Sequence, residues 1–241
     1  MGKKIRVQRR GKGSPTFRAA KRGRIAPVKY PPPTEGLRGV IKGLLHEPGR
    51  GAPIAYVELG EGSGYYIAAP EGVHIDQSVF LGADAPLEVG NVLPLGVIPE
   101  GTMVCNVELK PGDGGRIARS SGSFVTVVSH SPSGTTVKLP SKKNAILPNA
   151  CRATVGIIAG GGRKEKPFMK AGEKYHLKKA KGQVYPVTKG VSMAAASHPH
   201  GGGRHRHPGK STTVSRHAPP GRKVGLIAAR SSGKRKRRRR R

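Results

Sequence analysis

A mostly β protein is what this sequence predicts, with two small barrels in tandem between irregular basic ends. Gly (36) and Pro (21) are abundant, aromatics make up 4% and Trp is absent. That material supplies short strands and tight turns but not long amphipathic helices. Short apolar runs punctuated by Gly and Pro recur through the middle of the chain. The acids crowd into that same middle, eleven of the thirteen falling within residues 35–113.

The first strand-like runs fall at 37–45, 53–59, 65–69, 92–98 and 102–109. Val57-Glu58-Leu59 alternates apolar and polar residues, as a half-buried strand does. Five strands in about seventy residues suit a closed or partly open barrel of the OB type. The stretch Gly60-Glu61-Gly62-Ser63-Gly64 does not match G-x-G-x-x-G. It lies between two strand-like runs, so it reads as a hairpin turn and not as a nucleotide loop. A second set follows Lys110-Pro111-Gly112-Asp113-Gly114-Gly115, at 123–130, 135–139, 144–147 and 152–158, and reads as a second small barrel. From Gly160 onward Gly, Pro, Lys and His dominate and no apolar periodicity survives. The predicted organisation is therefore a basic N-terminal extension (1–35), an OB-like barrel (36–109), a second barrel (110–176) and a basic Gly/His/Pro-rich extension (177–241).

Charge decides the partner. Lys and Arg number 45 against 13 acids, a formal net charge of +32. Residues 1–34 hold eleven basic residues and no acid, 35–113 are net −7, and 114–241 are net +28. The middle is composed like an ordinary folding domain, whereas the ends are polyelectrolytes that repel themselves and order against a polyanion. Nucleic acid fits best, because each neutralised phosphate also releases counterions. An anionic membrane surface would want a basic amphipathic helix or a lipid anchor, and the sequence has neither. Arg6 stands where a myristoylation signal needs Ser or Thr, and no apolar run approaches the length of a spanning helix. Cys105 and Cys151 have no CxxC spacing, so a disulfide scaffold or zinc ribbon is disfavoured and two small core residues are expected.

Other motifs fall short. Pro208-Gly209-Lys210-Ser211-Thr212 ends like a Walker A loop, but Arg204 stands where the first Gly belongs and no strand-like run precedes it. Five histidines (His198, His200, His205, His207, His217) crowd into twenty residues, yet no acid or Cys accompanies them and Arg204 and Arg206 would repel a cation. No Ser or Cys sits with His and carboxylate in a nucleophile elbow, and an enzyme is not expected. The stretch His198-Pro199-His200-Gly201-Gly202-Gly203 reads instead as an RNA-contact loop. Pro199 biases His198 toward an extended backbone, the glycines allow backbone N–H groups close to phosphate, and imidazole can stack or donate.

Several strings then become recognisable in order. They are Gln8-Arg9-Arg10-Gly11-Lys12-Gly13 with Thr16-Phe17-Arg18, Val104-Cys105-Asn106-Val107-Glu108, Pro111-Gly112-Asp113-Gly114-Gly115 and Cys151-Arg152-Ala153-Thr154-Val155-Gly156. Gly160-Gly161-Gly162-Arg163, the 198–203 loop and Ala218-Pro219-Pro220-Gly221-Arg222-Lys223-Val224-Gly225 follow. Together they make the chain resemble universal large-subunit ribosomal protein two, in its archaeal form, over nearly its full length. The resemblance implies an OB-like barrel followed by an SH3-like barrel, with a long extension reaching toward the peptidyl-transferase region. It also implies that His198 supports a centre whose chemistry belongs to RNA. The family pattern carries Asn and Asp where this chain has Ala194 and Ser197, so a carboxylate that would orient the imidazole is absent.

The candidate rRNA contacts are Arg9, Arg10, Lys12, Arg18, Arg116, Arg119, Arg152, Arg163, Lys164 and Lys170. To these are added His198, His200, Gly201, Gly202, Gly203, Arg204, His207, Lys210, Arg216, Arg222 and Lys223. The expected partners are large-subunit rRNA, neighbouring ribosomal proteins and the small subunit through an intersubunit bridge, in the cytoplasm. No membrane, homo-oligomer, protein-bound metal or cofactor is expected, with RNA-associated Mg at the interface allowed. A chromatin protein is the competing binding function, prompted by the basic run 234–241, but no helix-turn-helix, zinc finger or basic-zipper pattern supports it. An rRNA-modifying enzyme would need a cofactor loop and a carboxylate-bearing site, and the sequence offers neither.

Overall fold

The computed structural model describes residues 2–230 apart from Arg22, Thr34, Glu35 and Glu61; the side chain of Lys164 and the basic run 234–241 lie outside the described residues. Contacts divide the chain into two compact units, one of Ala20–Glu173 and one of Met1–Ala19 with Lys174–Arg241.

The Ala20–Glu173 unit is mostly β. A meander of β1 (Leu37–Leu45), β2 (Ile54–Leu59) and β3 (Ser63–Ala68) forms first, and β2 and β3 pair around the expected Gly-rich hairpin turn with Leu59 opposite Ser63. The far edge of β1 takes β4 (Ser78–Leu81), which pairs in parallel with β5 (Val92–Pro94). These five short strands make up the OB-like part. The SH3-like part is β6 (Met103–Cys105), β7 (Val125–Ser131), β8 (Gly134–Lys138) and β9 (Asn144–Leu147), each antiparallel to the next. The last strand of the unit, β10 (Arg152–Val155), is antiparallel to both β5 and β6. It thereby welds the two parts into one ten-stranded sheet among the described residues.

Several elements differ from the expected ones. The four residues of β4 are too few to announce themselves by alternation, although Val79 and Leu81 are buried and Ser78 and Phe80 are not. The run at 102–109 yields only Met103–Cys105, because Asn106 takes a left-handed φ of 52° and turns the chain out of the ladder. The run at 92–98 stops at Pro94, and the one at 152–158 stops at Val155. The chain also enters the core before residue 36. Val28 and Tyr30 are buried at 3% and 5% exposure, and the Lys29 N–H donates to the Tyr66 carbonyl.

Two apolar clusters fill this unit. One is OB-like, with Ile41, Val57, Ile67 and Val79 at its centre. The other joins both parts through Leu95, Val104, Val125, Cys151 and Ile158. Both cysteines are free and buried, and burial pushes the Cys151 thiol up to about 11.

The second unit is differently made. It begins with the short helix α1 (Arg6–Gly11), whose entry is fixed by the Ile5 N–H donating to Gln8 Oε1 at 2.9 Å. The stretch after Gly160, expected to be irregular throughout, contains helix α2 (Ala171–Ala180), of which Lys174–Ala180 belong to this unit. That helix buries no residue, so no apolar stripe marks it in the sequence. Glu173 in its first turn and Lys178 and Lys179 in its last suit the helix dipole. Near its end β11 (Thr213–Val214) pairs in parallel with β12 (Leu226–Ile227). Among the described residues of this unit only Ile5 and Val224 are buried.

Candidate nucleic-acid interface

In the basic unit, residues far apart in sequence share one cleft. Arg6, Arg9 and Arg10 occupy positions i, i+3 and i+4 of α1 and therefore one helical face. They line a cleft of about 710 Å³ together with Lys189 and His198. Among the described residues no Asp or Glu lines it, and the buried Ile5 and Val224 belong to its wall. A second cleft, of about 360 Å³, gathers His200, Lys210 and Arg222. Of the expected contacts, Arg9, Arg10 and His198 thus meet in one place and His200, Lys210 and Arg222 in another. Lys12, Arg18, Arg204, His207 and Arg216 stand exposed, and Lys223 is half-buried.

The histidine loop is held by its own backbone. The Ala194 carbonyl accepts from the N–H groups of Ser197 (2.9 Å) and His198 (3.3 Å). The His200 N–H donates to Nδ1 of His198 at 3.0 Å. Nδ1 is therefore the acceptor, and the neutral ring carries its proton on Nε2. Burial, then His200, then Arg6 lower the His198 pKa from its ordinary 6.5. The missing carboxylate at 197 is thus replaced by a main-chain donor of opposite polarity. Gly190 packs so closely on the ring that any Cβ there would collide with Cε1.

Two glycines of this loop, Gly201 and Gly202, hold the loop together from within. The Gly201 N–H donates to the His198 carbonyl (2.9 Å) and the Gly202 N–H to the Met193 carbonyl (3.0 Å). Two of the three donors expected for phosphate are thus used inside the loop. A Cβ on Gly201 would strike the Met193 carbonyl, and one on Gly202 would sit 2.9 Å from the Ala195 Cβ. Gly202 also has φ +85°, a left-handed conformation that side chains resist. Close packing of the loop on itself requires these glycines.

The Ala20–Glu173 unit treats its candidate arginines unequally. Arg152 is turned inward. Its Nη2 meets Glu108 Oε1 at 2.9 Å, the side chains being 12% and 0% exposed, and its guanidinium lies 5.3 Å from the Tyr30 ring centre. Glu108 also accepts from the N–H groups of Arg152, Gly112 and Gly114, so it organises the Pro111–Gly115 turn from beneath. Arg119 donates to the carbonyls of Gly115 (2.9 Å) and Val28 (2.7 Å). Burial, with Arg50 adding to it, lowers its pKa from the ordinary arginine value. Tyr30 shares a hydrogen bond with Thr154 Oγ1 at 2.5 Å, and burial raises its pKa well above 10. Arg116 is exposed and reaches Asp113 at 3.7 Å. Arg163 is exposed with Nη2 on Ser121 Oγ, and Lys170 is exposed.

Sequence reasoning missed Arg6 and Lys189 as members of the first cleft. The helical spacing of Arg6, Arg9 and Arg10 was a signal for the former. Nothing in sequence linked Lys189 or Gly190 to His198. Among the described residues no three His, Cys, Asp or Glu side chains converge as a metal site, and no helix is long and apolar enough to cross a membrane.

Residues 88–221 match the family model described as Ribosomal Proteins L2, C-terminal domain. Large ribosomal subunit protein uL2 of Korarchaeum cryptofilum is 53% identical over 99% of this chain and 98% of its own length. The protein of that name from Hyperthermus butylicus is 51% identical over 98% and 100%, and that from Methanothermobacter thermautotrophicus 49% identical over 98% and 100%. Identity of this degree spans both barrels and both basic ends, so the chain belongs to the uL2 family of large ribosomal subunit proteins, in its archaeal form.

Proposed function

We propose that this chain is a structural constituent of the large ribosomal subunit in the cytoplasm, and that it grips large-subunit rRNA chiefly with its basic unit. The observation that carries the reading is the acid-free cleft in which Arg6, Arg9, Arg10, Lys189 and His198 converge. That unit buries only Ile5 and Val224 among its described residues, too little apolar surface to offset the entropy of ordering so much chain. A polyanion supplies what the core does not. Exposed Arg116, Arg163 and Lys170 are further phosphate contacts, while Arg119 and Arg152 brace the Pro111–Gly115 turn. His198 takes a supporting place as a neutral donor, and catalysis is left to RNA. The reading needs no resident cofactor, and Mg ions at the interface would belong to the RNA. Contacts to neighbouring ribosomal proteins and an intersubunit bridge complete the proposal.

Two measurements test it. The native protein should sediment with the large subunit in cell lysate. Binding of purified protein to large-subunit rRNA should weaken with salt at a log–log slope of about −7 to −9 if roughly ten phosphates are neutralised. Residues 181–241 carry 17 of the 45 basic residues, so truncation after Ala180 should flatten that slope markedly. An unchanged slope would show that the extension is not the electrostatic anchor.

A further inference from the structure

The cleft against α1 is lined by more than charge. Val7 and Val187, 60% and 57% exposed, line it beside the buried Ile5 and Val224. Phosphate neutralisation alone would use the cations and has no need of these apolar surfaces. A regular duplex would present backbone to the cations and keep its bases stacked away from the valines. A basic protein tail would be repelled, because six of the described lining residues are Lys or Arg and none of them is acidic. What matches both surfaces is a group with an apolar face and an anionic edge.

We infer that this cleft seats one unstacked rRNA nucleotide, its base against Ile5, Val7 and Val187 and its flanking phosphates against Arg6, Arg9 and Arg10. The inference rests on the ribosomal reading above and adds the class of ligand the cleft takes. A cleft of about 710 Å³ falls in the range of roughly 300–1,000 Å³ typical of sites that enclose a small molecule. His198 lines the same cleft, and its Nε2–H makes no hydrogen bond among the described residues. A neutral donor there matches a carbonyl or ring-nitrogen acceptor of a base, whose edge is free only when it is unpaired. Gly190 keeps the imidazole in place by leaving room for it. The glycine is therefore part of the site although it offers no side chain to the ligand.

The test uses the full-length chain in reconstituted large subunits. A photo-crosslinking benzoylphenylalanine is placed at position 187, and the crosslinked nucleotides are mapped. In parallel the rRNA bases are probed with dimethyl sulfate and a carbodiimide. Crosslinks should concentrate on one nucleotide, and that base should be protected in subunits carrying the unaltered protein. Val187→Asp should raise its reactivity about tenfold by removing the apolar contact. Val187 is mostly exposed, so the change buries no charge; Val7→Asp is the second variant and should act on the same base. Arg9→Gln should instead make the salt slope of rRNA binding shallower by about 0.7. Crosslinks scattered along duplex backbone, or directed to a protein, would overturn the inference and leave rRNA binding intact. So would reactivity unchanged by both aspartates. A chain that fails to join the large subunit at all would remove the ribosomal reading and the inference with it.

Discussion

The His200 N–H donates to Nδ1 of His198 across 3.0 Å, and that one bond selects the tautomer of the most conspicuous histidine in the chain. A carboxylate partner would accept from Nδ1–H and favour the imidazolium. A main-chain donor does the reverse, and burial, then His200, then Arg6 lower the pKa in the same direction. His198 is built to remain neutral.

Its titration should therefore lie below that of a free imidazole. Deuterium exchange at the imidazole carbon of His198, read by mass spectrometry in assembled subunits, should give a midpoint under 6.5. The released loop binds its proton more tightly than the folded one. The fold of the loop is accordingly fully stable above pH 6.5 and loses stability as pH falls below that value. The loss stops growing once pH passes the lowered native value. A midpoint at or above 6.5 would show that the imidazole is held by something other than the His200 N–H.

Gly202→Val should impair incorporation into subunits more than His198→Ala. The valine meets the Ala195 Cβ and must adopt φ +85°, a strain of about 1–3 kcal/mol. His198→Ala removes the Nε2–H donor and the acceptor of the His200 N–H but keeps the main-chain bonds from Ser197, Gly201 and Gly202, and His198→Gln should lose less still. Occupancy in reconstituted subunits and peptide-bond formation by them separate the two effects. Fully assembled but inert His198→Ala subunits, beside normal Gly202→Val ones, would reverse the weighting.

Arg152→Ala should unfold the barrels more readily without changing how rRNA binding depends on salt. Removing the guanidinium leaves fully buried Glu108 without its ion-pair partner. Such a loss costs about 3–5 kcal/mol, on the order of 10 °C in thermal midpoint for a unit of this size. Arg163→Ala should show the opposite pattern, with a near-normal midpoint and a shallower salt slope. A shallower slope for Arg152→Ala at unchanged stability would assign Arg152 to the RNA.

Amide exchange on the RNA-free protein should protect the strands between Leu37 and Val155, and with them the Lys29 and Tyr30 amides that bond Tyr66 and Gly114. Residues 2–19 and 181–230 should exchange freely, because two buried side chains cannot hold that unit closed. Helix α2 should fray with them, since no residue of it is buried. Strong protection of these ends without RNA would contradict the proposed division of labour.

The sequence by itself determined the β class, the Gly-rich hairpin turn and the polyanionic partner. Each depends on local quantities. Turn residues act over a few positions, and net charge needs no contact to be counted. The burial of Cys105 and Cys151 was likewise legible, because lone cysteines without metal spacing behave as small apolar residues. The tertiary structure alone decided which basic residues are available. Arg152 and Arg163 look alike in sequence, yet one is closed over Glu108 and the other stands at the surface. The same holds for β10, which pairs with two strands that precede it by some fifty residues or more, and for α2, whose apolar pattern is absent because it buries no residue. It holds most of all for His198. Its polarity is set by the next residue but one and its position by Gly190. Hydrogen-bond direction and close approach are properties of folded geometry, and residue type alone carries neither.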